Sequence, residues 1–294
     1  MTHVSFKEIA ALVGGALRNW QKDRVPRMGA ALAYYIALSL APTALILLAV
    51  ASLIFGSHPA EGRFVFHIHG LVGNEGAAAI RTIIEGARRP SRGIAATVIG
   101  MITVFFAASA AVSELKDAMN TIWRAPEDPT TSSAASIISI VKDRLLSFAL
   151  VLGAGVLVLV SLIVNAWMFA AGKYFNSGAT GPVALLQTAD WVISFVAITA
   201  LFAFIFKVLP RVRLQWGDVA ISAVATSLLF VVGKFLLGFY LGRASFADTY
   251  GTTGSLVIVL VWVYYSAQVL FLGVEFTRAY ACRFGSMRGL LVKP

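Results

Sequence analysis

The chain is 294 residues long, 59% hydrophobic and 13% charged, with a formal net charge of +10. Soluble domains run to roughly 45–50% apolar and about 25% charged residues, so this chain has too little polar surface to cover a globule. Its single cysteine, Cys282, excludes an intrachain disulfide and a cysteine-based zinc site, and says nothing of compartment.

The apolar residues come in long blocks between short charged stretches. A block of about 20 lets a helix cross roughly 30 Å of hydrocarbon. Strict two-residue alternation is absent, which excludes a barrel and leaves helices to satisfy the backbone in lipid. The expected fold is all-α: a polytopic six-helix transmembrane bundle with amphipathic interfacial helices.

Residues 1–27 form a cytoplasmic amphipathic segment, with Ile9, Leu12, Val13, Ala16, Leu17 and Trp20 at helical spacing. The apolar block that follows is too long for the core of a cleaved signal peptide. Residues 28–277 form the transmembrane domain, with spans over about 28–55, 93–113, 145–170, 185–206, 219–241 and 255–277. Pro42 is a kink in the first span. The 56–92 connection contains amphipathic pieces such as Ala77 to Arg88. In the 114–144 connection, Ala125-Pro126-Glu127-Asp128-Pro129 and Thr130-Thr131-Ser132-Ser133 end one helix and cap the next. Residues 278–294 form a basic cytoplasmic tail.

Lysine and arginine set the orientation, because cations accumulate on the cytoplasmic side. With the amino terminus inside, the inner pieces carry 5 in 1–27, 4 in 114–144, 3 in 207–218 and 4 in 278–294. The outer pieces carry 5 in 56–92 and one each at Lys173 and Arg243. Both termini are therefore expected in the cytoplasm, and most of the net charge is topological rather than a nucleic-acid footprint. Spans 1–3 and 4–6 would run in opposite senses, as in inverted transporter repeats, although the sequence offers little internal similarity to support one.

A lysine within a span is expensive and marks a candidate site. Lys234 lies about 10 Å deep from the outer end of the fifth span, at 1.5 Å per residue. Asp190 has a similar depth in the fourth span, so a Lys234–Asp190 pair competes with Lys234 snorkelling to the outer headgroups. Glu275 ends the last span, where Arg278, Arg27 and Arg211 are expected at similar depth. It reads as an ion pair locking helix ends, with a proton or ion relay as the alternative. The Gly238/Gly242 pair is a close-approach motif, for a seam within the bundle or for a homodimer face. His67-Ile68-His69 falls short of the three ligands a catalytic metal needs, so neither a metal nor a cofactor is expected.

The residues Ala31-Leu32-Ala33-Tyr34-Tyr35-Ile36-Ala37-Leu38-Ser39-Leu40-Ala41-Pro42 resemble the first-span motif of the YihY/BrkB family of bacterial inner-membrane proteins. Ala118-Met119-Asn120-Thr121-Ile122-Trp123 resembles that family's second patch, and Leu209-Pro210 with Trp216 its loop before the fifth span. The longest match is Tyr250-Gly251-Thr252-Thr253-Gly254-Ser255-Leu256-Val257, continuing through Trp262, Tyr264 and Ser266 to Gly273-Val274-Glu275. Val274 departs from the alanine more usual there. The resemblance implies six membrane helices in the bacterial cytoplasmic membrane and associations with envelope integrity and lipid handling. It also carries an old label of tRNA-processing ribonuclease, generally regarded as a misassignment.

The function expected is transporter-like handling of lipid or another anionic amphiphile, with membrane lipids as partners and no nucleic acid. Lys234 and Arg243 would meet headgroups, with Asp190 as partner, and Tyr34, Tyr35, Ser39 and Pro42 would shape a cavity. Glu275, Arg27 and Arg211 would serve as a gate or lock. A non-transporting envelope scaffold, recruiting partners through 56–92 or 114–144, is the alternative. An enzyme is not expected: Glu114, Asp117 and Asp143 are the only nearby acids for a ribonuclease, and they read equally well as surface partners of Lys116 and Arg144.

Overall fold

The computed structural model describes residues 6–38, 110–125, 181–212, 214–243 and 252–288. These contain six helical stretches and no strand: α1 (Phe6–Lys22), α2 (residues 25–38), α3 (residues 110–123), α4 (Gly181–Val208), α5 (Trp216–Arg243) and α6 (Thr252–Arg283). Three segments, Trp191–Val208, Trp216–Leu241 and Val257–Arg283, are long and apolar enough to cross a membrane. The expected span 145–170 lies outside the described residues, as do most of 28–55 and 93–113.

The helices run past the spans read from hydropathy. α3 continues to residue 123 rather than stopping near 113, α5 starts at Trp216 rather than 219, and α6 reaches Arg283 rather than 277. Charged residues near a span's end interrupt its apolar run, whereas a helix continues until its backbone is capped or broken. Pro210 stops α4, since proline lacks an amide donor and clashes with the preceding turn. Asp218 in the first turn of α5 and Arg283 in the last turn of α6 match the helix dipoles.

α4, α5 and α6 pack as successive antiparallel neighbours. Phe202 on α4 meets Phe230 on α5 edge-on, and Phe230 meets Trp262 on α6, each with ring centroids 5.8 Å apart. α2 lies along α6, where the Gln268 amide donates to the Pro26 carbonyl at 3.5 Å. α1 is the expected amphipathic helix and packs on α6. It buries Leu12 and Ala16 and leaves Val13 and Leu17 exposed. One continuous core joins Val25 and Leu32 of α2, Met119 and Ile122 of α3, Phe206 of α4, Ala223 of α5 and Phe271 of α6.

Glycines mark the closest approaches. A Cβ on Gly273 of α6 would stand 2.7 Å from Thr226 Cγ2 and 2.9 Å from Phe206 Cζ, so three helices meet there through a residue without a side chain. Gly233 gives Tyr265 the same room. Gly238 has nothing within reach, so among the described residues the α5–α6 close approaches are at Gly233 and Gly273 rather than at Gly238. Gly238 sits on an exposed face of α5, where no neighbouring helix among the described residues requires a small residue.

Candidate functional site

Polar side chains collect at the end of the bundle where α1 and α3 finish, α5 begins and α6 finishes. α1 ends in a turn in which the Asp23 amide donates to Asn19 O at 2.8 Å and Arg24 takes a left-handed φ of 53°. α3 ends the same way: the Ala125 amide donates to Asn120 O at 2.9 Å, and Arg124 has a φ of 49°. Left-handed geometry costs an ordinary residue about 1–2 kcal/mol. Two arginines bear it in turns that deliver side chains to one place.

There the Asp23 carboxylate lies between two guanidiniums. Its Oδ2 is 3.6 Å from Arg278 Nη1, and its Oδ1 is 4.0 Å from Arg124 Nη2. The Arg278 and Asp23 side chains are 10% and 14% exposed, whereas that of Arg124 is 50% exposed and forms the outer rim. Behind them Glu275 is 0% exposed, with Asp23, Arg278 and Arg124 as the charges that act on it. No hydrogen bond reaches either Glu275 oxygen, Asp23 Oδ2 or Arg278 Nη1. A buried carboxylate without a hydrogen bond is costly, and such groups mark functional sites inside membranes.

The polar character continues between α5 and α6. Thr226 and Thr277 each donate back to their own helix, to Ser222 O at 2.7 Å and Gly273 O at 2.6 Å. The hydroxyls of Ser222 and Ser227 are buried with no partner, as is Gln268 Oε1 deeper in the bundle. At the surface of the same end, Asp218 Oδ2 accepts from the Ser286 amide at 2.9 Å and its hydroxyl at 2.7 Å, pinning the residues after α6 to the start of α5. Lys207 donates to the Leu214 carbonyl and lies 5.3 Å from the Trp216 ring centroid, closing the α4–α5 turn.

Of the expected site residues whose side chains are described, Glu275 enters this cluster, together with its expected neighbour Arg278. Arg27 and Arg211 are exposed, and the Arg211 amide donates to Asn120 Oδ1 at 3.1 Å. Tyr34 is exposed and meets the half-buried Tyr35 edge-on at 5.7 Å. Lys234 is half-buried, 5.7 Å from the Phe235 ring centroid, and Phe235 stacks on Trp191 at 5.7 Å. That stack sets α4 and α5 level beside positions 190 and 234. The Asp190 and Arg243 side chains lie outside the described residues, as do Ser39, Pro42, Asp143 and the histidine pair. Glu114 and Asp117 share α3, and no group of three acids, histidines or cysteines gathers among the described residues.

Sequence reasoning missed Asp23 altogether, counted Arg124 only as topological charge, and did not single out the buried Ser222, Ser227 and Gln268. The one available signal was that Asp23-Arg24 and Trp123-Arg124 both close a helix on the same expected side.

Residues 16–289 match the family model of the virulence factor BrkB. A UPF0761 membrane protein of Paraburkholderia xenovorans is 24% identical over 258 residues, covering 85% of this chain and 55% of that one. One of Tolumonas auensis is 26% identical over 275 residues, covering 88% and 82%. One of Ralstonia nicotianae is 25% identical over 274 residues, covering 90% and 58%. The chain thus spans little more than half the length of the first and third of these relatives. No solved structure matches it.

Proposed function

The chain belongs to the BrkB family of membrane proteins, and from that premise we propose that it is a transporter-like protein handling lipid or another anionic amphiphile for the cell envelope. Its place in this reading is the bacterial cytoplasmic membrane, with six spans and both termini inside. The α1 end then faces the cytoplasm, and the protein acts without catalytic residues or a cofactor. The observation that carries the reading is Glu275, wholly buried beside the Asp23 carboxylate with no donor hydrogen-bonded to either oxygen, in a bundle that also buries the hydroxyls of Ser222 and Ser227. A bundle that only scaffolds would be more stable with apolar groups there, since buried ions and half-satisfied polar groups are weak sources of stability.

The amphiphile class follows from the other end of α5. Leu236 and Phe239 are 66% and 64% exposed beside Lys234. An apolar face with a lysine beside it, and Arg243 closing the helix, suits an acyl chain carrying an anionic headgroup. The test is transfer of a fluorescent phosphatidylglycerol between leaflets of vesicles holding the full chain, with native mass spectrometry of bound lipid. Wild type should move and retain the lipid, and Lys234→Ala should lose most of both. Vesicles no faster than protein-free controls, with no retained anionic lipid, would refute it. That result would favour the scaffold, whose support is the way Asp23 ties α3 and α6 to the turn after α1.

A further inference from the structure

We propose that Glu275 and Asp23 form a proton-binding site, and that the bound proton is the ion coupled to movement of the amphiphile. The second half rests on the transport reading above, and the first does not.

The cluster presents two buried acceptors that no hydrogen bond reaches, both Glu275 oxygens, beside an Asp23 Oδ2–Arg278 Nη1 ion pair of 3.6 Å that is too long for a hydrogen bond. Whatever occupies it must supply donors to the carboxylates. Charge and size leave few choices. Two carboxylates oppose an anion, and two guanidiniums oppose a metal cation. Glu275 at 0% exposure admits nothing of headgroup size. A proton, with a water to carry it, meets all three conditions. The route from solvent is short, because Arg124 is half exposed and Asp23 lies between it and the sealed Glu275.

The groups facing Glu275 come from several elements. Asp23 acts from the turn after α1, Arg124 from α3 and Arg278 from one turn further along α6. α5 brings uncharged hydroxyls to this level, since Thr226 touches Gly273, while its own acid, Asp218, is engaged by Ser286. α4 contributes the Phe206 ring at the same glycine. The step balances simply. A hydronium ion gives one proton to a Glu275 oxygen and leaves as water, and the new O–H donates to the Asp23 carboxylate. The formal charge of the four side chains then rises from zero to +1. That surplus lies beside Arg278 and favours parting the helices that Asp23 holds together. Proton binding at the closed end is thereby linked to loosening of the contacts that tie α3 and α6 to the turn after α1.

The test reads the proton directly. The full chain in lipid nanodiscs is titrated with alkali while the infrared carbonyl-stretch band of protonated carboxyl groups is recorded. Wild type should show a band that disappears on titration. Glu275→Gln, which preserves shape, should lack it, and Asp23→Asn should shift its frequency. A band unchanged in both variants overturns the site. If Glu275→Gln fails to fold, the Asp23→Asn shift alone decides. Vesicle transfer of the fluorescent phosphatidylglycerol with and without a pH gradient separates the two proposals. Transfer that ignores the gradient, with no Glu275 band, removes the proton site and leaves transport standing. A Glu275 band without any transfer leaves the proton site and removes transport.

Discussion

The two ends of the bundle handle polarity in opposite ways. At the α1 end, Glu275, Arg278 and Asp23 are withdrawn from solvent and assembled from three separate parts of the chain. Along the other half of α5, Phe235, Leu236, Phe239 and Tyr240 are all exposed, and a lysine sits among them. A soluble protein would reverse both choices. In lipid the apolar face is the solvated one, so its residues add little specific stability, whereas every charge at the closed end must be matched by geometry. Substitutions at the α1 end should therefore have large effects and those on the apolar face small ones.

The largest expected effect comes from Asp23→Ala. It removes the carboxylate ion-paired with the buried Arg278 and leaves a surplus positive charge in the cluster, and breaking a buried pair costs about 3–5 kcal/mol. Denaturant unfolding in detergent should show the loss, and combining it with Arg278→Met should recover much of it. If the single substitution changes stability no more than a surface change does, the cluster is not held as described. Gly273→Ala comes next. The new methyl meets Thr226 and Phe206, and overpacking of this kind costs about 1–3 kcal/mol. The double variant Gly273→Ala, Thr226→Ala should be closer to wild type than Gly273→Ala alone, which would locate the strain in the α5–α6 seam.

The same contrast explains how much was legible in the sequence. α4, α5 and α6 were readable as apolar blocks because lipid contact and core packing demand the same residue types. Their ends were not, because isolated charges such as Asp218 and Arg278 break an apolar block without ending the helix that carries it. Glu275 stood out as an acid in an apolar run, and Arg278 follows it by one turn. Asp23 and Arg124 did not, because they arrive from distant turns whose left-handed geometry rests on arginine rather than glycine. Ser222 and Ser227 looked like ordinary small residues of a membrane helix. That their hydroxyls lack partners is a property of packing, which no spacing rule contains. Gly238 shows the complementary case: its motif requires a facing helix, and among the described residues none stands within reach of it, so a sequence motif alone does not say which helix, or which copy, it faces.

On the apolar face, Trp191→Ala with Phe235→Ala measures the stack between α4 and α5. An aromatic pair contributes about 0.5–1.5 kcal/mol beyond its area. A double-mutant cycle should give a coupling within that range, below the effect of Asp23→Ala. A coupling above it would mean that this face is held as tightly as the closed end, and the contrast between the two ends would fail.

The smallest effect is the most discriminating. Arg124→Gly removes a half-exposed ion pair worth about 0.2–1 kcal/mol and relieves left-handed strain of about 1–2 kcal/mol, less the extra chain entropy of glycine, roughly 0.5–1 kcal/mol. Arg24→Gly relieves the same strain at nearly the same φ and breaks no ion pair among the described residues. Thermal unfolding of the two should show Arg24→Gly neutral or slightly stabilised and Arg124→Gly lower by the value of the Asp23–Arg124 pair alone. Equal behaviour would mean that the rim arginine adds nothing to stability, and that Asp23 is held in place by Arg278 from within.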